Sequence, residues 1–210
     1  MDYTKYKNLE FRRKYFAFVP QITITDPSTK TVVGFIKMKM WSIKGDIRVY
    51  TDKTMQQEIV RIGGRQMVSL KKIYNIFDST TGAELISIRQ NSLKSLFVRN
   101  HMDIVSGDNR PYGYIQETSS SLALFRRWIE VIPYLGALIG LFLAFVPQTF
   151  EIMYDPQGSS PQLVGRIVHK KNPVVVKMSL DTTMAQVALD PRVCVSAVSL
   201  LSILDASKNK

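Results

Sequence analysis

The sequence predicts a mainly β protein, a twelve-stranded antiparallel closed barrel of six hairpins threaded by a hydrophobic C-terminal helix. Three observations point there. Short runs rich in β-branched and aromatic residues recur in pairs across polar turns. Aspartates at those turns keep a fixed interval: Asp26, Asp52 and Asp78 lie 26 residues apart, and so do Asp155 and Asp181. The chain then closes on an uncharged apolar run, residues 193–204. Internal repetition of this kind constrains a fold more than any single motif does.

The units can be read in order. Residues 22–26 lead to 32–36, 47–52 lead to 58–62, and 74–78 lead through Thr81-Gly82 to 85–88. A looser copy runs from 98–105 through Ser106-Gly107-Asp108-Asn109 to 112–116. After it, 150–155 lead to 163–167, and 174–178 followed by Asp181 open a sixth unit. Asp, Asn and Gly accept the backbone angles of a turn, so each unit reads as a hairpin. In 22–25 and 74–76 the apolar and polar residues alternate, which gives one buried and one wet face. Six hairpins give about twelve strands, and so many short strands hide their edges best by closing.

The helix has its own start signals. Asp190 suits an N-cap and Pro191 the first helical position. From residue 192 to 204 only Ser196, Ser199 and Ser202 relieve the apolar surface beyond Arg192, so the predicted helix over 191–206 can be buried on every side. It is too short for a bilayer, at about 20 Å against a core of roughly 30 Å. A barrel of about twelve strands is too wide for its own side chains and offers it a place. Val193, Val195, Val198, Leu200, Leu201 and Leu204 are the expected core contacts.

Composition narrows the class. The chain has 210 residues, 45% hydrophobic and 21% charged, which excludes a disordered tail and a stapled mini-protein. One cysteine, Cys194, excludes a disulfide framework and a cysteine-based zinc site, and its apolar neighbours mark a buried thiol. The first residues lack the apolar stretch of a secretory signal, so a cytoplasmic location is expected. Residues 1–72 hold 15 Lys/Arg against 6 Asp/Glu, whereas 73–210 hold 13 against 11. A basic N-terminal third suits phosphates, of lipid headgroups or of nucleic acid.

The hairpins, the run Gly113-Tyr114-Ile115-Gln116, and Val164-Gly165-Arg166-Ile167 followed by Asp181 and the terminal apolar run resemble the superfamily of the tubby C-terminal domain, the phospholipid scramblases and the LURP-one-related proteins. The resemblance covers roughly residues 15–206, less 122–147. It implies the threaded barrel as one domain over 1–210, and association with membrane phospholipid. The tubby branch binds phosphoinositides through a Lys-x-Arg pattern, to which Lys37-Met38-Lys39 is the nearest match. The scramblase cysteine clusters are missing. Two carboxylates, Asp181 and Asp190, replace the calcium-linked acidic segment and are too few for six to eight oxygen ligands.

Residues 122–147 interrupt the repeat. Arg126-Arg127-Trp128 is followed by sixteen uncharged residues, 131–146, and basic residues beside Trp are what a membrane interface selects. An apolar helical insertion between hairpins four and five is expected. A single crossing would strand halves of one barrel on opposite sides of a bilayer, so the segment either enters an interface from one side, packs on the barrel or forms an oligomer contact. Trp128, Leu135, Leu138, Ile139, Leu141, Phe142, Leu143 and Phe145 are its membrane-facing candidates.

Catalytic patterns are not seen. His101 and His169 lack metal-ligand spacing, and neither a nucleophile elbow nor a phosphate-binding loop occurs. Asp103, Asp108 and Asn109 are better read as a hairpin turn than a metal loop, and His169-Lys170-Lys171 as an exposed strand end. The expected function is therefore a non-enzymatic, cofactor-free, membrane-associated phospholipid-binding protein, peripheral or monotopic at the cytoplasmic face. Its expected headgroup residues are Arg12, Arg13, Lys14, Lys37, Lys39, Arg126 and Arg127. A soluble interaction or nucleic-acid-binding protein using the same basic face is the alternative, and a scramblase the third reading.

Overall fold

A computed structural model describes residues 3–14, 21–39, 46–68, 71–91, 101–118, 147–170 and 175–208. After a 3-10 turn at Tyr3–Lys5, twelve strands follow: β1 (Asn8–Lys14), β2 (Gln21–Thr25), β3 (Val32–Lys39), β4 (Asp46–Tyr50), β5 (Glu58–Val68) and β6 (Lys71–Asp78). The second half comprises β7 (Glu84–Asn91), β8 (His101–Ser106), β9 (Pro111–Glu117), β10 (Gln148–Tyr154), β11 (Gln162–Lys170) and β12 (Val175–Asp181). One helix, α1 (Pro191–Lys208), ends the described chain. Each strand pairs antiparallel with its neighbours in sequence, and β1 pairs with β12 to close the barrel. The expected insertion over 122–147, with Arg126, Arg127 and Trp128 through Phe145, lies outside the described residues apart from Pro147.

Five of the expected hairpins are β2–β3, β4–β5, β6–β7, β8–β9 and β10–β11. The sixth unit differs. β12 has no hairpin partner after it; it runs through the Asp181 turn toward α1 and pairs instead with β1, from Asn8 opposite Asp181 to Lys14 opposite Val175. β1 hides from a hydropathy reading because Asn8-Leu9-Glu10-Phe11-Arg12-Arg13-Lys14 is mostly polar. Its inward positions are Leu9, Phe11 and Arg13, all buried.

The recurring aspartates have a shared local chemistry. Asp26, Asp52, Asp78 and Asp181 each accept, at 2.8–2.9 Å, the backbone N–H of the Ser or Thr two residues on: Ser28, Thr54, Thr80 and Thr183. This is an Asx turn, the side chain imitating a backbone carbonyl. Hydrogen bonds from Ser28 hold the Asp26 carboxyl below its ordinary value, those from Thr54 do so for Asp52, and the Thr80 N–H leads for Asp78.

The lumen is filled by α1. Every residue from Val193 to Ile203 is buried, serines included, and Leu204 packs at the edge of the same core. Around it stand the inward residues of the strands, among them Ile24, Val49, Ile62, Ile76, Ile88, Ile104, Ile152 and Ile167, each 0–1% exposed. Ser199 Oγ donates to the carbonyl of Val195 at 2.6 Å, and Ser202 Oγ to Met178 Sδ at 3.0 Å, whereas Ser196 Oγ finds no partner among the described residues. Asp190 caps the helix, accepting the Arg192 N–H at 2.9 Å. The Arg192 guanidinium then grips Asp190 at 2.6 Å and Asp78, in the β6–β7 turn, at 2.7 Å. The helix entry is thus tied to the barrel rim. Burial of the Cys194 thiol on this helix pushes its pKa up to about 12, so it remains a thiol.

Two glycines in the resemblance have a steric reason. A Cβ at Gly113 would lie 2.0 Å from the Met153 carbonyl oxygen of the paired strand, and one at Gly165 3.1–3.2 Å from Thr182 Cγ2 and the Asp181 carbonyl. Both mark close backbone approaches.

Two predictions follow from this packing. Leu200→Ala should cost about 2–5 kcal/mol, since it removes a fully buried side chain and leaves a cavity. Ser196→Ala should cost nothing and raise Tm slightly, because it removes an unsatisfied buried hydroxyl; thermal melts of both variants check this. The lowered aspartate pKa values set the acid response. A depressed folded-state pKa contributes stability above the unfolded value near about 4, and that contribution disappears as pH falls through the folded values. Tm should therefore fall below about pH 4, and less steeply in an Asp26→Asn/Asp52→Asn variant, whose turns keep an acceptor that cannot titrate.

Candidate functional site

The helix occupies the inside of the barrel; a pocket of about 320 Å³ lies at the helix entry and a larger groove on the outer wall. In β12, β1, β2 and β3 the residues between the core positions face outward. One outward row runs Lys177, Arg12, Thr23, Phe35 across the four strands, and the next runs Ser179, Glu10, Thr25, Val32. All of these except Ser179 floor a groove of about 1090 Å³, to which the β2–β3 turn adds Pro27 and Lys30 and the β4–β5 turn adds Lys53 and Met55. Its apolar part is Val32, Phe35, Met55 and Val175. Phe35 is 5% exposed although it points outward, and Val32 is 45% exposed.

Charge in the groove is one-sided. Arg12 pairs with Glu10, which reaches it across the outer face of β1. Lys30, Lys53 and Lys177 have no carboxylate within ion-pair distance among the described residues. Asp26 and Asp52 sit in the same turns, but their oxygens are held by Ser28, Thr29 and Thr54 and do not line the groove. The adjoining patch on β4 and β5 is different. There Arg48 meets Asp46 at 3.0 Å and Glu58 at 3.2 Å, and Arg61 meets Asp46 at 3.3 Å, so two cations answer two carboxylates. The groove instead brings three lysines without such partners among the described residues, Lys30, Lys53 and Lys177, to one place.

The sequence-predicted headgroup residues divide accordingly. Arg12 lines the groove. Lys37 lies at its margin, opposite Gln21, which lines it. Lys14 stands opposite Val175 and Lys39 opposite Asp46 in the strand register; nothing is described of their side chains. Arg13 does not belong to this set. Its alternation with Arg12 sends it into the barrel, where it is 4% exposed and donates from Nη1 to the carbonyl of Ser202 at 2.9 Å. It serves the core helix and cannot reach a headgroup. His169 is likewise inside, 1% exposed, not on an exposed strand end. Asp108 and Asn109 form the β8–β9 turn, and Asp108 pairs with Arg110 at 2.9 Å. Arg126 and Arg127 lie outside the described residues.

Sequence reasoning missed Lys30, Lys53 and Lys177. Lys177 follows Val175 at strand spacing, so its outward direction was readable once β12 was known to pair with β1. The two turn lysines carry no periodic signal. Among the described residues no helix is long and apolar enough to cross a membrane.

The two N-terminal arginines give a direct test of these directions. Arg13→Ala should lower Tm, because it removes a buried guanidinium and takes its donor from the Ser202 carbonyl, a loss of stability of about 1–3 kcal/mol. Arg12→Ala should change stability by less than about 1 kcal/mol, as expected for an exposed ion pair. Parallel melts of the two variants check it.

The search of curated proteins finds no match. A family model, LURP-one-related, matches residues 32–204, from the first residue of β3 to the last turns of α1. Strands β1 and β2, which carry Arg12, Glu10 and Thr23 of the groove, precede the match. With the closed twelve-stranded barrel and its C-terminal helix in place, and most of the chain matched, the protein belongs to the LURP-one-related family of the tubby-like C-terminal superfamily.

Proposed function

We propose that this protein binds the anionic phospholipid surface of a membrane through the groove on β12, β1, β2 and β3, as a binding module and not an enzyme, at the cytoplasmic face. The observation that supports this reading is the juxtaposition of Lys30, Lys53 and Lys177, without carboxylate partners among the described residues, with the exposed side chain of Val32 and the half-buried ones of Met55 and Val175. Phosphate meets the ammonium groups while the hydrocarbon just below the headgroups meets the apolar floor. Each basic group near an anionic surface contributes about 1 kcal/mol, so three or four give reversible, salt-sensitive attachment. Membership in the tubby-like superfamily fits a lipid-binding role. The segment 131–146, apolar and flanked by Arg126-Arg127-Trp128, would add insertion to this electrostatic hold. No observation favours lipid movement between leaflets.

Flotation with phosphatidylcholine vesicles, with and without phosphatidylserine, tests the reading. Recovery should require phosphatidylserine at low salt and fall as salt rises. A Lys53→Glu/Lys177→Glu variant that melts like wild type should lose most of it. Equal recovery on neutral and anionic vesicles would overturn the electrostatic basis. Preferential, salt-sensitive binding to duplex DNA over vesicles would move the groove to nucleic acid.

A further inference from the structure

The turns that border the groove break a rule that the other turns keep. Each of the five hairpins has one residue in the left-handed region, with φ between 57 and 72°. They are Lys30 in β2–β3, Met55 in β4–β5, Gly82 in β6–β7, Asn109 in β8–β9 and Gly158 in β10–β11. Glycine bears this conformation without steric cost and asparagine tolerates it, whereas Lys and Met do not.

The comparison can be made turn by turn. In β2–β3 the N–H of Lys30 donates to the Asp26 carbonyl at 2.8 Å and the N–H of Asp26 to the Thr31 carbonyl at 3.0 Å. In β6–β7 the same bonds run from Gly82 to Asp78 at 2.7 Å and from Asp78 to Ala83 at 2.9 Å. The two turns have one geometry, and glycine satisfies it at 82. Met55 and Asn109 share one bond, each donating to the carbonyl three residues back, Asp52 at 3.4 Å and Ser106 at 2.8 Å, in loops of different length closed by Thr51 N–H to Gln57 and Ser106 N–H to Arg110. Within each pair the inexpensive residue lies away from the groove. The strained residue lies on it, and both Lys30 and Met55 line it.

A fold selected for stability alone would place Gly or Asn in all five turns. We propose that Lys30 and Met55 hold their strained positions as ligand contacts: Lys30 reaches the phosphate and Met55 the hydrocarbon beside it, making the groove specific for an amphiphilic phosphate, a phospholipid, over a bare one. This inference rests on the groove being the lipid site. The strain is the stability cost of two side chains that the turns themselves do not need.

Copying each partner turn tests it: Lys30→Gly after Gly82, Met55→Asn after Asn109, with Gly82→Lys as the reverse control. A Cβ at Gly82 would meet nothing within 4 Å, so that variant reports backbone strain alone. Gly82→Lys should lower Tm by about 2–8 °C and leave binding to phosphatidylserine-containing vesicles unchanged. Lys30→Gly and Met55→Asn should melt no lower than wild type, yet bind those vesicles about fivefold more weakly. The Lys30→Gly defect should shrink at high salt, and the Met55→Asn defect should persist. Glycerol phosphate should compete poorly with the vesicles.

A lowered Tm in Lys30→Gly or Met55→Asn would overturn the inference, since the side chains would then be supporting the fold. Strong competition by glycerol phosphate would overturn the hydrocarbon contact. If both variants bind as wild type while Lys53→Glu/Lys177→Glu does not, the inference fails and the groove reading stands. If the double charge reversal also binds normally, the groove reading itself is lost.

Discussion

A closed sheet of twelve strands cannot fill itself. Its strands lie too far apart across the lumen for opposing side chains to meet, and an empty apolar cavity that large would forfeit the dispersion contacts that hold a core together. The helix α1 resolves this, and most of the molecule follows from its being there. It is apolar all round because it has strands all round. Ser199 returns its hydroxyl to its own helix for the same reason. Arg13 brings a cation inside to meet a helix carbonyl, and Arg192 bridges the helix entry to the Asp78 turn. The barrel and the helix are one core, each covering what the other exposes.

A filled lumen also decides where a ligand can bind. The ligand chemistry proposed for this protein lies on the outer wall, where alternate strand positions are open to any residue that tolerates water. On the β4–β5 part of that wall charges cancel, in the Arg48, Arg61, Asp46 and Glu58 patch. At the groove they do not. The seam between the first and last strands forms part of it, so a site built from Arg12 and Lys177 exists only when the barrel has closed.

Much of the fold was legible because its signals are periodic. The 26-residue aspartate interval is the path length of one strand pair with its turn, and the Asp-x-Ser/Thr chemistry at Asp26, Asp52, Asp78 and Asp181 repeats with it. The Asp190-Pro191 start of α1 was equally plain, since capping acts through neighbours in sequence. What stayed hidden depends on register. β1 looks like a basic tail until Leu9, Phe11 and Arg13 are seen to share one face. Arg12 and Arg13 are indistinguishable as adjacent basic residues, and a single step of strand alternation sends one to solvent and the other to the core. Lys30 and Met55 were invisible for another reason: a left-handed φ is unremarkable until its four counterparts are seen together.

The claim on which the rest stands is that α1 is the core of the barrel and not an appendage to it. Its direct measurement is the fold of the chain without residues 191–210, followed by circular dichroism, amide dispersion in NMR spectra and thermal melting. Without the helix, the inward faces of all twelve strands would line a water-accessible channel. The truncated chain should lose cooperative melting and amide dispersion together and aggregate or unfold. A truncated chain that remained monomeric, rich in β-structure and cooperative in its melt would contradict the account, because the strands would then have found a way to fill their own interior.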